Sequence, residues 1–339
     1  MQFYHRVLHK FRLLFLSAAL SFSAAASVPA ATSTYWEEGA VMDKPGPGWA
    51  LTAISTQTNN LDQPASFGGG EVRFLANESS ETQQLCGVFR SPEGRVLVVD
   101  GGLSEDADHL CRVLQEFGGR VDAWLITHPQ PDHIGALCRI LQEPSRGIDI
   151  QNIYFSFLSE EEYEKLAPDE LDSIRSYMNV LKSVPKERLH GFGDTHVKTG
   201  ETVYVSDSLS FRALNDPLFL TGPWAVNNSS IMYDINLSGS HVIILGDMGP
   251  DGGDRLLTQI QYMNLTADYV VMAHHGQNGV RENFYRMLQP KACIWSAPDW
   301  LFNAMPDHKS LRTADTRSWI NKLGVTRNYC TKDGDVVLK

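Results

Sequence analysis

The chain has 339 residues, of which 42% are hydrophobic and 20% charged, and these fractions are those of an ordinary globular protein. Its formal net charge at pH 7 is −11. Proteins that hold nucleic acids by phosphate contacts carry a basic face, and the sequence has no cluster of Lys and Arg to build one, so its composition argues against extended nucleic-acid binding.

The N-terminus has the residue order of a secretory signal peptide. Three basic side chains precede an apolar run over residues 13–22, and small residues follow at 23–27. The run is shorter than the ~20 residues that cross a bilayer, so the pattern favours a cleaved signal over a permanent anchor. We predict a signal peptide over residues 1–26, an exported protein that is extracellular or associated with the cell envelope, and no transmembrane domain in the mature chain. Loss of three basic and no acidic side chains would leave a net charge of −14.

The next segment, residues 27–70, is rich in Pro, Gly, Ser, Thr and Asn and lacks sustained periodicity, which predicts an N-terminal linker or extension. Regular patterning begins after it. Apolar runs over 71–75, 85–89 and 95–99, separated by turn residues, predict a β-meander. Residues 71–339 are therefore predicted to form one domain.

A junction between a strand and a helix carries the first candidate site. Apolar residues on one helical face predict a helix over residues 107–117, and the apolar run 121–126 predicts a buried strand. Residues 127–133, with the sequence THPQPDH, follow directly, and a helix is predicted over 134–142. Polar side chains at such a junction occupy the usual position of a site in layered α/β proteins.

The rest of the chain again alternates strands with helices. After a strand near residues 150–157, a charged insertion at 159–186 predicts solvated helices. Further strands are predicted at 201–205, 209–214, 231–237, 241–245, 269–273 and 292–296, helices at 253–262, 281–288 and 313–323, and a closing hairpin around 333–334. Two β-rich halves flanked by helices predict an α/β (α+β) fold, an αββα four-layer sandwich.

Three segments place His and Asp just beyond apolar strands. They are residues 127–133, residues 245–247 with the sequence LGD, and residues 273–276 with the sequence AHHG. A single His or Asp at a strand end is more often a cap or a satisfied polar group. Three such segments can gather imidazole and carboxylate donors at one point, and this mixture suits zinc and similar divalent ions. The sequence therefore predicts a metal site.

With these residues the chain resembles the metallo-β-lactamase superfamily, whose motif His-x-His-x-Asp-His at a strand end is followed by a distant Asp and a further His. More narrowly, it resembles the metallo-β-lactamase domain of ComEC-type DNA-uptake proteins and their secreted relatives. Residues 100–102 (DGG), 227–230 (NNSS) and 331–334 (TKDG) support the resemblance. It covers roughly residues 71–339 and implies the αββα sandwich of the metallo-β-lactamase type.

The resemblance also implies roles for single residues. His128 would bind the first of two metal ions, and Asp132 with His133 the second. Asp247 would bridge the two ions. Asp132 would also help to position the attacking water, which makes Asp132 and His128 the predicted catalytic residues.

Other residues would complete or support this set. Either His274 or His275 would be the last ligand, and Asp100 would support the loop from behind the ligands, unless it is a plain turn residue at a strand end. Asn228 and Ser230 could donate hydrogen bonds to a substrate oxygen or form a tight turn.

Gln130 departs from the family pattern, because it stands where the second histidine of the motif is expected. Its neutral amide oxygen is a poorer zinc ligand than imidazole, so the first metal position is weakened. Three outcomes are open. The chain keeps one ion at the second position, recruits a replacement donor such as His275 or His308, or is inactive.

The sequence thus supports two hypotheses. The first is an exported hydrolase that uses one or two divalent ions, zinc or alternatively manganese, to activate water against a small or oligomeric ester or phosphodiester. The second is a catalytically impaired or inactive member that binds an envelope ligand or partner. The fold does not choose between them, since one fold hosts many chemistries.

Overall fold

A computed structural model of the chain describes residues 66–191, 197–305 and 311–339. The predicted signal peptide, most of the predicted linker, His196 and His308 lie outside these ranges. The described residues form part of one compact unit. Within these ranges, no helix has both the length and the apolar character that crossing a bilayer would require.

Two large sheets dominate the described part of the chain. The first contains β1 Glu71–Phe74, β2 Cys86–Arg90, β3 Val96–Asp100, β5 Ala123–Leu125, β7 Ile153–Tyr154, β8 Leu189–His190 and β16 Val336–Leu338. Their order is β16-β1-β2-β3-β5-β7-β8, with β1 to β3 antiparallel and β3 to β8 parallel. The predicted meander is confirmed. A short parallel pair, β4 Arg120–Val121 and β6 Asp149–Ile150, lies apart from this sheet.

The second sheet is built from the later part of the chain. It contains β9 Thr202–Tyr204, β10 Leu209–Ala213, β11 Tyr233–Leu237, β12 Ser240–Ile244, β13 Tyr269–Val271, β14 Ala292–Trp295 and β15 Arg327–Cys330. Their order is β15-β14-β13-β12-β11-β10-β9. Strands β9 to β12 are antiparallel neighbours, and β12 to β15 are parallel.

Helices cover both sheets. The described helices are α1 Ala107–Glu116, α2 Pro131–Gln142, α3 Glu160–Leu166, α4 Leu171–Leu181, α5 Ala225–Asn228, α6 Pro250–Ile260, α7 Glu282–Leu288, α8 Asp299–Phe302 and α9 Thr313–Lys322. Helices α1 and α2 pack on the first sheet through residues such as Leu110 and Ile134. Helices α6, α7 and α9 pack on the second sheet through residues such as Leu256, Phe284 and Ile320. The predicted αββα sandwich is confirmed.

Alternating side chains fill the space between the two sheets. Phe74 and Leu97 of the first sheet belong to the same apolar cluster as Phe211 and Ile235 of the second. Phe67 joins this cluster and stacks on the ring of Tyr269, so this residue, which precedes the predicted boundary at residue 71, packs with the sheets. Burying a side chain of this size stabilises the fold by about 1.5–3 kcal/mol.

The predicted closing hairpin around residues 333–334 is wrong. β15 pairs in parallel with β14 in the second sheet, whereas β16 pairs antiparallel with β1 in the first. The turn residues between the last two strands therefore carry the chain from one sheet to the other. Each strand gains its hydrogen bonds from a different sheet, which a hairpin would not allow.

The inserted helices α3 and α4 belong to the wall around the candidate site. Their buried face includes Tyr163, Ile174 and Met178, and it packs with Val226 of α5. Helix α4 also contacts α2, the helix that follows the first His and Asp motif. The insertion predicted to be a solvated element thus has one buried face next to that motif.

Candidate metal centre

The first motif lies between β5 and α2, and its prolines fix the local backbone. Pro131 is the first residue of α2, where its missing N–H costs no hydrogen bond, and the residue before it, Gln130, is extended. Asp132 and His133 therefore occupy the first turn of the helix, whose start favours the negative charge of Asp132. The helix begins three residues earlier than predicted.

Asp100 holds His133 in place from behind. Asp100 ends β3 with a left-handed backbone, at a φ of 59°, and is buried. One of its carboxylate oxygens accepts the Thr127 backbone N–H at 2.7 Å, and the other accepts His133 Nδ1–H at 2.8 Å. Because Nδ1 carries this proton, the Nε2 atom of neutral His133 has a free lone pair.

The second motif places Asp247 beside the first. Gly246 precedes it with a φ of 55°, and a Cβ there would meet Ser230 and Thr127 atoms at 3.0 Å. The close approach of these segments therefore requires glycine at this position. The Asp247 backbone N–H donates to Ser230 Oγ at 3.1 Å, which fixes the carboxylate next to α2.

The third motif brings two histidines to the same point on a strained backbone. His274 and His275 have left-handed φ values of 51° and 55°, which non-glycine residues rarely adopt. His275 Nδ1–H donates to the Ser296 carbonyl oxygen at 2.9 Å. This bond directs His275 Nε2 toward the carboxylates of the first two motifs.

Four residues from the three motifs converge: Asp132, His133, Asp247 and His275. Within the described ranges they form the group of His, Cys, Asp and Glu donors suited to a metal ion, with one donor atom each and all four atoms within 4.8 Å of one another. His133 Nε2 lies 3.2 Å from Asp247 Oδ1, and His275 Nε2 lies 3.3 Å from Asp132 Oδ2. Tetrahedral zinc with bonds of about 2.0–2.1 Å holds its donors about 3.3 Å apart. The spacing of the donors therefore fits one zinc ion.

Apart from the contacts within the cluster, the same atoms lack partners. His133 Nε2, His275 Nε2 and Asp247 Oδ1 are buried and make no hydrogen bond within the described structure. Buried polar atoms are nearly always satisfied, because leaving one unpaired costs about 1–3 kcal/mol. A shared cation would satisfy all three, so the residues fit a divalent metal. Asp132, with its side chain 17% exposed, is the open side of the set.

The electrostatics of the cluster favour positive charge at its centre. Burial lowers the pKa of His275, but Asp247 and Asp132 outweigh it and raise that pKa to about 9. Burial likewise opposes the charge of His133, yet Asp247, Asp100 and Asp132 raise its pKa well above the ordinary value. Burial raises the pKa of Asp132, but His133 and His275 lower it to about 2. Protons or a cation can supply the positive charge that these carboxylates attract.

His128 has a different environment, although it belongs to the same motif. Burial, and next the nearby His133, lower the pKa of His128 to about 4, so its ring is neutral. Its Nε2 lies 2.9 Å from Gln130 Oε1, and its Nδ1 lies 3.0 Å from Thr127 Oγ1. His128 is not a member of the four-donor group.

His274 also stays outside that group. Its Nε2 lies 3.7 Å from Asp247 Oδ2, and its ring contacts Trp224 edge-on. Of the two histidines that the sequence offered for the last ligand, His275 is therefore the one placed within the donor group.

Asn228 and Ser230, predicted to be substrate contacts or turn residues, are buried and bonded to backbone. Asn228 Oδ1 accepts the N–H groups of Gly249 and Gly252, and Ser230 Oγ accepts that of Asp247. Both side chains hold the loop after β12, which positions Asp247. Contact of Asn228 or Ser230 with substrate stays a prediction, and the hydrogen bonds of these side chains to the backbone do not support it.

Two residues of the site, Gln83 and Glu170, were missed in the sequence, and Asn227 was considered only as part of residues 227–230. Gln83 Nε2 donates to Asp132 Oδ2 at 3.3 Å. Gln130 Nε2 donates to Glu170 Oε2 at 2.9 Å, and Asn227 Nδ2 donates to Gln130 Oε1 at 2.9 Å. Glu170 precedes α4 in the insertion, where nothing in the sequence pattern marks it as a partner of Gln130.

Comparison with known proteins identifies the family of the chain. A model described as the metallo-beta-lactamase superfamily matches residues 80–292. No curated protein matches the chain. Among solved structures, the metallo-beta-lactamase fold protein YhfI from Bacillus subtilis is 12% identical, covers 80% of this chain and 99% of its own, and has a TM-score of 0.47.

Two further structures are similar to the same extent. Zn(2+)-bound PqqB from Methylobacterium extorquens is 12% identical over 79% of this chain and 99% of its own, with a TM-score of 0.44. A diphosphatase from the PhnP family is 13% identical over 80% of this chain and 97% of its own, with a TM-score of 0.42. On the match of the family model over most of the domain, the chain belongs to the metallo-β-lactamase superfamily.

Proposed function

We propose that the chain is an exported metal-dependent hydrolase that cleaves an ester or a phosphodiester with a metal-activated water. The superfamily includes metal-dependent hydrolases. The observation that carries the proposal is the convergence of Asp132, His133, Asp247 and His275, with buried donor atoms that lack other partners. Zinc is the proposed ion, because two imidazoles and two carboxylates at this spacing suit it; manganese is the alternative.

The chain's own residues would hold and orient the reactants. A bound divalent cation lowers the pKa of water toward ~7 and polarises a carbonyl or phosphoryl oxygen. Asp132 lies on the open side of the cluster, so substrate and water would approach past it. Gln83 donates to Asp132 Oδ2 and fixes its orientation at this entrance. The Asp132 carboxylate can also accept a proton from the attacking water.

The test combines metal content with hydrolysis. Protein purified without chelators should contain at least one equivalent of metal by elemental analysis and should hydrolyse p-nitrophenyl acetate or bis(p-nitrophenyl) phosphate. Asp132→Ala should lower kcat by more than about 100-fold. Asp251→Ala, the same change at a residue with a 75% exposed side chain, should keep full activity. Less than one equivalent of metal together with no Asp132-dependent turnover would refute the proposal.

The proposal also includes export of the protein and its relation to ComEC-type domains within the superfamily. The basic, apolar and small residues of positions 1–27 support a cleaved signal. Sequencing the N-terminus of the mature protein should find a start after residue 26 or 30, and an intact N-terminus on cell-associated protein would count against export. Within the superfamily, the order of the motifs supports kinship with ComEC-type domains, while the net charge favours small or short substrates over long nucleic acids.

A second candidate function is supported by Gln130. Its side chain is bonded to His128 and Glu170 rather than left as a free donor. A chain that binds a cation and an envelope ligand without turnover would show metal content but no hydrolysis in the same assays. Those two readouts separate the candidates.

A further inference from the structure

The position that the family pattern gives to a first metal ion is filled here by hydrogen bonds. A carbonyl oxygen only accepts, so His128 Nε2–H donates to Gln130 Oε1 at 2.9 Å, and in the neutral ring Nδ1 then accepts the Thr127 hydroxyl proton at 3.0 Å. A nitrogen that carries a proton has no lone pair for a cation. His128 therefore cannot ligate while this bond is intact.

Gln130 is held in this orientation from two further directions. Asn227 Nδ2 donates to the same Oε1 atom at 2.9 Å, which uses its second lone pair. Gln130 Nε2 donates to Glu170 Oε2 at 2.9 Å, and a carboxylate accepts only, so the amide cannot be turned around without losing this bond. Freeing Gln130 Oε1 for a metal would break its contacts with His128 and Asn227 in a partly buried site.

The amide of Asn227 stands between the two atoms that a first ion would join. It lies 2.9 Å from Gln130 Oε1 and 3.4 Å from Asp247 Oδ2, and it presents N–H groups to both. A neutral donor group thus satisfies the outer oxygen of the predicted bridging aspartate. Within the described ranges, His128 also joins no group of three or more His, Cys, Asp or Glu donors.

We propose that the centre takes one divalent cation per chain, at Asp132, His133, Asp247 and His275, and that the network of His128, Gln130, Asn227 and Glu170 replaces a second. The inference rests on the proposed function only in assuming that the four-residue cluster binds metal. It does not require that the bound metal catalyse a reaction.

Zinc stoichiometry tests this directly. Protein stripped with a chelator, loaded with excess Zn²⁺ and passed through a desalting column should contain one equivalent by elemental analysis. His128→Gln should still contain one, because His128 is not a ligand. His275→Gln, the same substitution at a proposed ligand, should contain far less than one. Two equivalents in the unchanged protein, or loss of an equivalent in His128→Gln, would overturn the proposal.

A second measurement needs no variant and covers the case in which His128→Gln fails to fold. Cadmium NMR of the unchanged full chain, titrated with excess cadmium, should give one protein-bound resonance. Two resonances of equal intensity would overturn the one-cation centre.

The outcomes also separate this inference from the proposed function. One equivalent of zinc without hydrolysis would refute the hydrolase and support the one-cation centre. Two equivalents of zinc with Asp132-dependent hydrolysis would support the hydrolase and refute the one-cation centre.

Discussion

The two sides of the centre satisfy their polar atoms in opposite ways. On one side, His133 Nε2 and His275 Nε2 point at carboxylates without making hydrogen bonds. On the other side, His128 and Gln130 bond to each other. Both sides contain imidazole, so residue type alone does not mark a metal position. Buried donor atoms that make no hydrogen bond do mark it, because leaving such atoms unpaired costs free energy that a bound cation would offset.

The largest expected effect comes from removing a charge on the unpaired side. Asp247→Asn should weaken zinc binding by more than about 100-fold, because a carboxylate shared by the two imidazoles becomes a neutral amide. Competition with a chromophoric chelator measures the affinity. Asp234→Asn, the same change at an acid equally buried in β11, should leave zinc affinity unchanged. Equal losses in both variants would mean that general destabilisation, not ligation, causes the effect.

A smaller effect is expected behind the ligands. Asp100→Asn keeps the shape of the side chain but removes the charge that accepts His133 Nδ1–H. Zinc affinity should fall roughly 10–100-fold. Asp335→Asn serves as the control, because it removes an acid that contacts His109 and is not part of the donor group, and it should leave zinc affinity unchanged. An unchanged affinity in Asp100→Asn would show that Asp100 is only a turn residue.

On the bonded side, a substitution should change stability and not metal content. Gln130→Ala removes the acceptor of His128 and Asn227 and the donor to Glu170. The free energy of unfolding should fall by roughly 1–3 kcal/mol, as urea denaturation would measure, because partly buried polar groups lose their partners. Zinc content should stay at one equivalent. A loss of zinc without a loss of stability would place Gln130 among the ligands and erase the contrast between the two sides.

The smallest expected effect is on the pH dependence of stability, and it comes from a pair outside the centre. His241 Nδ1 contacts Asp234 Oδ1 at 2.8 Å. The hydrogen bond to Asp234 outweighs burial and raises the pKa of His241 above its ordinary value of 6.5. The stability from this pair is thus fully present below the unfolded pKa and is lost as pH rises through the raised value. Compared with His241→Gln, the unchanged protein should gain more stability at about pH 5.5 than at about pH 9, equally with and without zinc. A gain that grows with pH would contradict this assignment.

Much of the sandwich was predictable because burial imposes a period on each strand. The meander β1 to β3 and the strands that end at the three motifs follow from apolar runs bounded by turn residues. The last two strands show the limit of this reasoning. The turn at residues 333–334 marks a change of direction, but the partner strands, β14 and β1, are distant in sequence. Only the assembled sheets decide where such a strand pairs.

The candidate site divides in the same way. The residues that gather at the metal position could be predicted, since Asp132, His133, Asp247 and His275 each end or follow an apolar strand. The departure at Gln130 was also visible as a missing histidine. What replaces the lost donor was not, because Glu170 comes from an insertion 40 residues away. A hydrogen bond across that distance depends on how α4 packs against α2.

Glu170 has a further consequence for the balance of charge in the cleft. With one divalent cation and neutral imidazoles, the carboxylates of Asp100, Asp132, Asp247 and Glu170 leave the centre negative. A phosphodiester anion meets repulsion there, which rising ionic strength weakens, while an uncharged carboxylic ester does not. For the proposed hydrolase, this balance of charge predicts faster turnover of an uncharged carboxylic ester than of a phosphodiester anion, with a difference that narrows as ionic strength rises.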